Sequence, residues 1–359
     1  MPGLIYRLQL FVFITVFSVT PTSAQNIPDG SQTNDLPNPN PTVIQGWAEL
    51  AHGRTWRSSA SVDIGPDGHI WTYDRCSAST LPHSCNDSTV DPILKFHRET
   101  GTVITSFGAG EFVLPDGIHV DSDGNVWITD SMGNDTETKG RQVIKFSPSG
   151  QVLLRLGKPG VEGLSAGLLN KPRDVVTTTD GNIFVADEHH SQDEASGSSK
   201  TGRIVKFDRH GNFLMEWGEF GEGRGQFRNP HAVAMDSRGR LFVADRGNNR
   251  IQIFDQDGNY LDSYFQFGRV NGLFITRDDM LYTIGSESNQ EPQSAWPAGI
   301  RIGSVSADKV TAFIPPPATE QPHSRMGKGV AVDFNGNVYS TEEPISQETA
   351  AGGLTKFLR

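Results

Sequence analysis

Three stretches, GIHVDSDGNVWITD (117–130), DVVTTTDGNIFVAD (174–187) and AVAMDSRGRLFVAD (232–245), align on one another without a gap. Each begins with a short apolar run, passes through a polar turn that contains Gly, and ends in a β-branched or aromatic run closed by Asp. Short apolar runs bounded by such turns are the pattern of strands, and Gly supplies the left-handed backbone that a tight turn needs. Each stretch therefore predicts a pair of antiparallel strands. Outward from these, three weaker copies occur: SVDIGPDGHIWTYD (61–74), GLFITRDDMLYTIG (272–285) and GVAVDFNGNVYSTE (329–342).

The units also continue alike. Gln142 to Phe146, Arg203 to Phe207 and Arg250 to Phe254 read as third strands, and a tight turn leads to a fourth, as in IVKF, DRHGN, FLMEWG (204–218). Four strands recurring every 40 to 58 residues are the signature of propeller blades. The fold class is all-β, a six-bladed β-propeller over residues 43–359. The last unit stops at GLTKFLR (353–359) with three strands, whereas VIQGWAEL (43–50) is similar to FLMEWGEF (213–220). The N-terminal strand is thus expected to complete the last blade, closing the ring and hiding its open edges.

Composition agrees: 39 Gly, 21 Pro and 20% charged residues suit strands and turns. A net charge of -11 argues against nucleic acid as a partner, because phosphate recognition needs a basic footprint. Arg7, the apolar run Leu8 to Val19 and the small residues Thr22 and Ala24 read as a signal peptide over residues 1–24. The run is shorter than the roughly 20 residues of a membrane span, so no span is expected after cleavage. Residues 25–42, rich in Asn, Pro, Asp and Ser, read as a flexible linker. A secreted or periplasmic location permits disulfides, and the two cysteines, Cys76 and Cys85, are expected to pair. Asn86-Asp-Ser and Asn134-Asp-Thr are glycosylation acceptors in a eukaryotic host. A monomer is expected.

The text ADRGNNRIQIF (244–254), with NPHAVAMDSRGRLFV (229–243) ahead of it, closely resembles NHL repeats. Most of the chain beyond residue 50 is similar to the peptidyl-α-hydroxyglycine α-amidating lyases, best in LPDGIHVDSDGNVWITD (114–130), GRIVKFDRHGNFLMEWGE (202–219) and 225–254. The resemblance implies a secreted propeller that splits a hydroxylated peptide into a peptide amide and glyoxylate. It also implies zinc held by three histidines, one at the start of the innermost strand in alternate blades. The matching positions are Asp116, His231 and Lys328. Neutral imidazoles hold zinc and leave a fourth position open, whereas a lysine ammonium repels it, so zinc in that manner is not expected. Arg246 matches the family's arginine after a blade-four Ala-Asp, and the catalytic tyrosine falls on His189. The aspartate after the last zinc histidine falls on Gly329, and an early arginine on Arg54 or Arg57. The scaffold carries over, but the reaction does not follow from it.

Antiparallel pairing places the start of each first strand and the end of each second strand on one face. That face carries the long polar loops Arg75 to Asp91, Ser131 to Gly140, Glu188 to Thr201, Ser286 to Ala298 and Glu343 to Gly352, and function tends to sit on long loops held by a rigid scaffold. The first-strand openings, one per blade, are Ala60, Asp116, Arg173, His231, Asn271 and Lys328. Second-strand ends add Asp74, Arg75, Asp130, Asp187, Glu188, His189, Asp245, Arg246 and Glu342. Asp130, Asp187 and Asp245 recur from blade to blade, so they are read as loop anchors that pair with Arg141, Arg203 and Arg250.

The residues that do not repeat are the candidates for chemistry. His231, Arg246, Lys328 and His189 are the catalytic candidates, with His231 as general base and Lys328 or Arg246 opposite a developing oxyanion. Asp116, Arg173, Asn271 and Glu188 are the ligand-binding candidates, the arginine suiting a carboxylate. Asp116 and His231 are the weak candidates for a non-zinc metal, so zinc or calcium is only weakly supported as a cofactor, and Glu188 with His189 and His190 forms an acidic loop. Three readings stay open. The first is a secreted propeller that acts on or binds a small anionic or peptide-like ligand in its central funnel. The second is a non-catalytic protein-interaction propeller whose loops 75–91 and 188–201 meet a protein partner. The third is a lactonase-like, calcium-dependent hydrolase, which Arg173 and Lys328 oppose.

Overall fold

The computed structural model describes residues 35–76, 85–189, 201–286, 296–317, 324–344 and 352–359. The signal peptide read at 1–24, residues 25–34, His190 and parts of all but one of the long loops lie outside the described residues.

Six four-stranded sheets follow one another along the chain. Blade one is Val62–Ile64, Ile70–Tyr73, Ile93–Phe96 and Val103–Phe107. Blade two is Pro115–Val120, Val126–Asp130, Gln142–Phe146 and Val152–Leu156. Blade three is Pro172–Thr177, Ile183–His189, Thr201–Phe207 and Phe213–Trp217. Blade four is Pro230–Met235, Leu241–Asp245, Arg250–Phe254 and Tyr260–Tyr264. Blade five is Gly272–Ile275, Met280–Gly285, Gly299–Ser304 and Ala307–Ile314. Blade six is Ser324–Val332, Val338–Pro344 and Gly353–Leu358, completed by Thr42–Ile44 from the other end of the chain. Only three residues of that end pair, Val43 lying opposite Phe357. The chain then turns, and Trp47 packs edge-on against Tyr339.

Each pair of neighbouring blades shares an apolar cluster, including the pair at the seam, where Trp47, Val62, Ile70 and Phe96 meet Ala331, Tyr339 and Leu354. Continuous clusters around a circle explain why second strands are buried on both faces. Part of the segment read as linker is docked: the Phe313 amide donates to the Pro37 carbonyl at 3.0 Å, and Leu36 packs against the blade four and five cluster.

First strands are irregular where they open. The register breaks between Pro115 and Ile118, Pro172 and Asp174, Pro230 and Ala232, and Met326 and Val330. Such bulges re-aim a side chain, and Pro is tolerated there because a bulged residue on an edge strand owes no ladder bond. Asp116, Arg173, His231 and Lys328 all sit inside these breaks.

Candidate functional site

The bulges turn the opening residues onto one channel. Ala60, Asp116, Arg173, His231, Asn271 and Lys328, one from each blade, line a cavity of about 280 Å³ along the ring axis. Side chains at or just past the ends of second strands reach these openings: Arg75 meets Asp116, Glu188 meets Arg173 and Glu343 faces Lys328.

Charges at this rim are arranged in chains. Asp116 receives Arg75 Nη2 on Oδ1 and Arg173 Nη1 on Oδ2, each at 2.5 Å, and Tyr73 donates its hydroxyl to the Asp116 carbonyl. Arg173 also donates Nε to Glu188 Oε1 at 2.5 Å. Across the channel Glu343 lies 3.9 Å from Lys328 Nζ and 3.5 Å from Arg325 Nη2. Burial alone would raise Asp116, but Arg173 and Arg75 overcome it and hold the carboxyl well below the usual range. Lys328 is lowered to about 8 by burial, against the pull of Glu343 and with help from Arg246 and Arg75. Lys171, just ahead of blade three, is lowered to about 8 by Arg173 and by burial.

His231 Nδ1 lies 2.8 Å from the Asn271 carbonyl. A carbonyl only accepts, so Nδ1 carries the proton and Nε2 keeps its lone pair. Burial, then Arg246 and Arg173, push this imidazole well below its ordinary value and keep it neutral at pH 7. Arg246 opens a short 3-10 turn, Arg246–Asn248, after the second strand of blade four, and burial followed by Arg269 lowers it to about 9. The Asn271 side chain is 2% exposed, yet neither its amide nitrogen nor its oxygen has a hydrogen-bond partner among the described residues. Glu188 Oε2 is likewise unmatched.

Most of the expected residues thus share one rim, with two corrections and one addition. Asp116 has no oxygen to offer a metal, because both are committed to guanidiniums, and His231 is held by the Asn271 backbone. Arg141 does not pair with Asp130; it reaches Glu162 at 2.9 Å and the Asn170 carbonyl at 2.5 Å. The rim also holds a carboxylate outside the candidate set, since Glu343, one residue past Glu342, faces Lys328. Its signal was in the text: it occupies the place of Glu188 and Arg246 in the repeat. His189 ends its strand opposite Thr201, and its side chain lies outside the described residues. Asp74 is an anchor, held by Arg54 Nη2 at 2.7 Å and by the amides of Arg57 and Ser58. Arg203 and Arg250 do pair with Asp187 and Asp245, at 2.8 and 2.7 Å.

The three positions matching the family's zinc histidines do not make a zinc site. A committed carboxylate, one imidazole and an ammonium offer a single available donor, and no cluster of three His, Cys, Asp or Glu suited to a metal occurs among the described residues. The calcium-dependent reading meets the same obstacle, because Asp116, Glu188 and Glu343 each face a cation.

Sequence reasoning missed a second polar group deeper in the channel. His119 lies 3.3 Å from Asp63 and 2.9 Å from Thr177 Oγ1, while Asp174 accepts the Val233 amide at 2.9 Å and is pushed up to about 7 by burial. Polar residues in otherwise apolar first strands, VDI and IHV, were the available sign. A larger cavity of about 790 Å³ opens among the short turns, walled by Phe274, Met280, Ile314 and Phe357, and none of the candidate residues lines it. On the loop face Cys76 and Cys85 form a disulfide with Cα atoms 5.1 Å apart, and Asn134 Nδ2 donates to Asn86 Oδ1 at 3.1 Å, so the two acceptor sequences touch.

Comparison with known proteins agrees with this architecture. Residues 227–254 match the NHL repeat. The chain is 37% identical over 166 residues to peptidyl-glycine alpha-amidating monooxygenase B of Xenopus laevis, covering 45% of this chain and 17% of that protein. It is 31% identical over 207 residues to a probable peptidyl-alpha-hydroxyglycine alpha-amidating lyase of Caenorhabditis elegans, covering 53% of each. The aligned stretch thus spans less than a fifth of the monooxygenase and about half of the lyase. Among solved structures a streptogramin B lyase superimposes over 89% of this chain and 87% of its own, with a TM-score of 0.50 at 14% identity, a likeness of fold. The chain is a six-bladed β-propeller with an NHL repeat at residues 227–254, similar over about half of its length to the peptidyl-α-hydroxyglycine α-amidating lyases.

Proposed function

We propose that this is a secreted protein whose rim on the long-loop face binds a small anionic or peptide-like ligand, with His231 as the proton acceptor. The observation that carries the reading is the wall shared by His231 and Asn271: a neutral imidazole with an available Nε2 beside a buried amide that has no hydrogen-bond partner among the described residues. Buried polar groups are nearly always matched, so an unmatched one on a cavity wall marks a place for a water or a ligand. Arg75, Arg173, Arg246 and Lys328 outnumber Asp116, Glu188 and Glu343, which favours an anionic group over a cationic one. His231 would take a proton from a ligand hydroxyl, and Lys328 or Arg246 would stand opposite the charge left on oxygen. No step is assigned to a metal. The Cys76–Cys85 disulfide supports an oxidising compartment.

The homologues' names make an α-hydroxyglycine peptide the first ligand to try. Titration calorimetry should show binding, and His231→Ala and Arg246→Ala should each weaken it by at least about tenfold, the loss of one charge-assisted contact. If the ligand turns over, glyoxylate release should disappear in both variants. Unchanged affinity in both would remove this site and leave the protein-interaction reading, in which the rim charges serve only one another.

A further inference from the structure

We propose that Lys328 captures small 2-oxo acids covalently, its amine adding to the carbonyl carbon to form an imine without metal or cofactor. This rests on the rim being an anion site and assigns one side chain a chemistry of its own.

The position is built to present an amine. Lys328 lies between Gly327 and Gly329 in the bulge that separates Met326 from Val330. A side chain at 327 would stand 2.5 Å from Thr341 Oγ1, and one at 329 would stand 2.7 Å from the Ser61 Cα. The Gly329 amide also donates to Thr341 Oγ1 at 2.9 Å. Both flanks are therefore pinned against blade one and the second strand, and the lysine between them lines the channel.

Its surroundings suit nucleophilic addition. An amine reacts only when unprotonated, and desolvation beside other cations is how lysines are prepared for imine chemistry. Burial, Arg246 and Arg75 act in that direction here, bringing Lys328 to about 8. The charged groups around it are Glu343, Arg246, Arg75 and Asp116, with the neutral His231 beside them. Glu343, 3.9 Å from Nζ, has an Oε1 with no hydrogen-bond donor among the described residues, so it can carry a proton between nitrogen and oxygen. The nitrogen lone pair forms the C–N bond as the carbonyl electrons move to oxygen, and Glu343 takes a proton from nitrogen and returns one to that oxygen. The carbinolamine then loses its hydroxyl as water while C=N forms. One amine and one carbonyl give one imine and one water, with no change of oxidation state. With Lys328 uncharged, Arg75, Arg173, Arg246 and Arg325 still outnumber Asp116, Glu188 and Glu343, which favours a carbonyl compound that carries a carboxylate.

The test uses glyoxylate with sodium cyanoborohydride at pH 7, followed by peptide mapping. A carboxymethyl group is expected on Lys328 at least about tenfold faster than on surface lysines, whose free-amine fraction is smaller by the difference in pKa. Propanal, which lacks the carboxylate, should show a distinctly smaller preference, the part that the free-amine fraction alone supplies. Lys328→Arg should abolish the adduct with an unchanged circular dichroism melt, whereas Lys171→Arg should retain it. Absence of the Lys328 adduct while calorimetry still shows glycolate binding overturns the imine and spares the anion site. Absence of both overturns the two together.

Discussion

Arg203 shows how a charge is made tolerable inside this ring. The residue is 2% exposed, and its guanidinium reaches Asp187 Oδ2 at 2.8 Å, Glu216 Oε2 at 2.7 Å and the carbonyls of Gly163 and Leu168 at 3.0 Å. Asp187 accepts the amides of Asn170 and Lys171 in addition. Taking away one member of a buried pair strands the other, at a cost of about 3–5 kcal/mol. Arg203→Ala is therefore expected to destabilise by that amount in denaturant melts, and Arg203→Ala with Asp187→Asn by distinctly less. Equal losses would show that the pair itself is unimportant. Blade five dispenses with the arrangement: Gly285 stands where the Asp would be, and Arg301 lies instead between the rings of Trp296 and Phe313 at 5.2 and 5.3 Å.

Within a blade, the carboxylate ending the second strand ties down the chain that enters the first. Asp130 does this for Val113 and Leu114, whose amides reach it at 2.9 and 2.6 Å, but among the described residues no arginine forms an ion pair with it, and burial pushes it up to about 7 against the amides and the more distant Lys139 and Arg141. Unfolded, it would titrate near 3.9, so between about pH 4 and 7 the folded state holds a proton that the unfolded chain has released, and stability falls as pH rises through that window. Asp130→Asn removes the titration while keeping an acceptor for the two amides. Its stability relative to the parent should grow from pH 4 to pH 7 by an amount on the order of a few kcal/mol, measured by urea melts at each pH. A pH-independent difference would show that Asp130 stays ionised in the fold.

Across the whole molecule, closure depends on three residues. Thr42–Ile44 is the outer strand of blade six, and Trp47 and Ala48 belong to the cluster that joins blades six and one. Deleting residues through Ala48 should open the ring, lower the melting temperature by several degrees or more, since each kcal/mol counts for a few degrees in a domain of this size, and leave an unpaired edge that promotes self-association. Calorimetry and light scattering measure the two effects. Deletion through residue 34 keeps Thr42–Ile44, Trp47 and Ala48 and should change neither.

The chain's own text determined the blades, their order, the closing strand and the six positions that open the first strands, because period-two patterning and turn chemistry are local and repeat. It also marked which openings differ from blade to blade. Pairings within a blade, Arg203 with Asp187 and Arg250 with Asp245, were legible too, but only the tertiary structure decided which charges meet between blades. Asp116 is claimed by Arg75 from blade one and Arg173 from blade three, contacts between residues 41 and 57 positions apart, whose existence depends on how bulged strands converge at the axis. The same convergence set Glu343 beside Lys328 and the Asn271 carbonyl against His231. Spacing along a strand tells which way a side chain faces, but the reach across a channel follows from the radius of the ring, and that is a property of all six blades together.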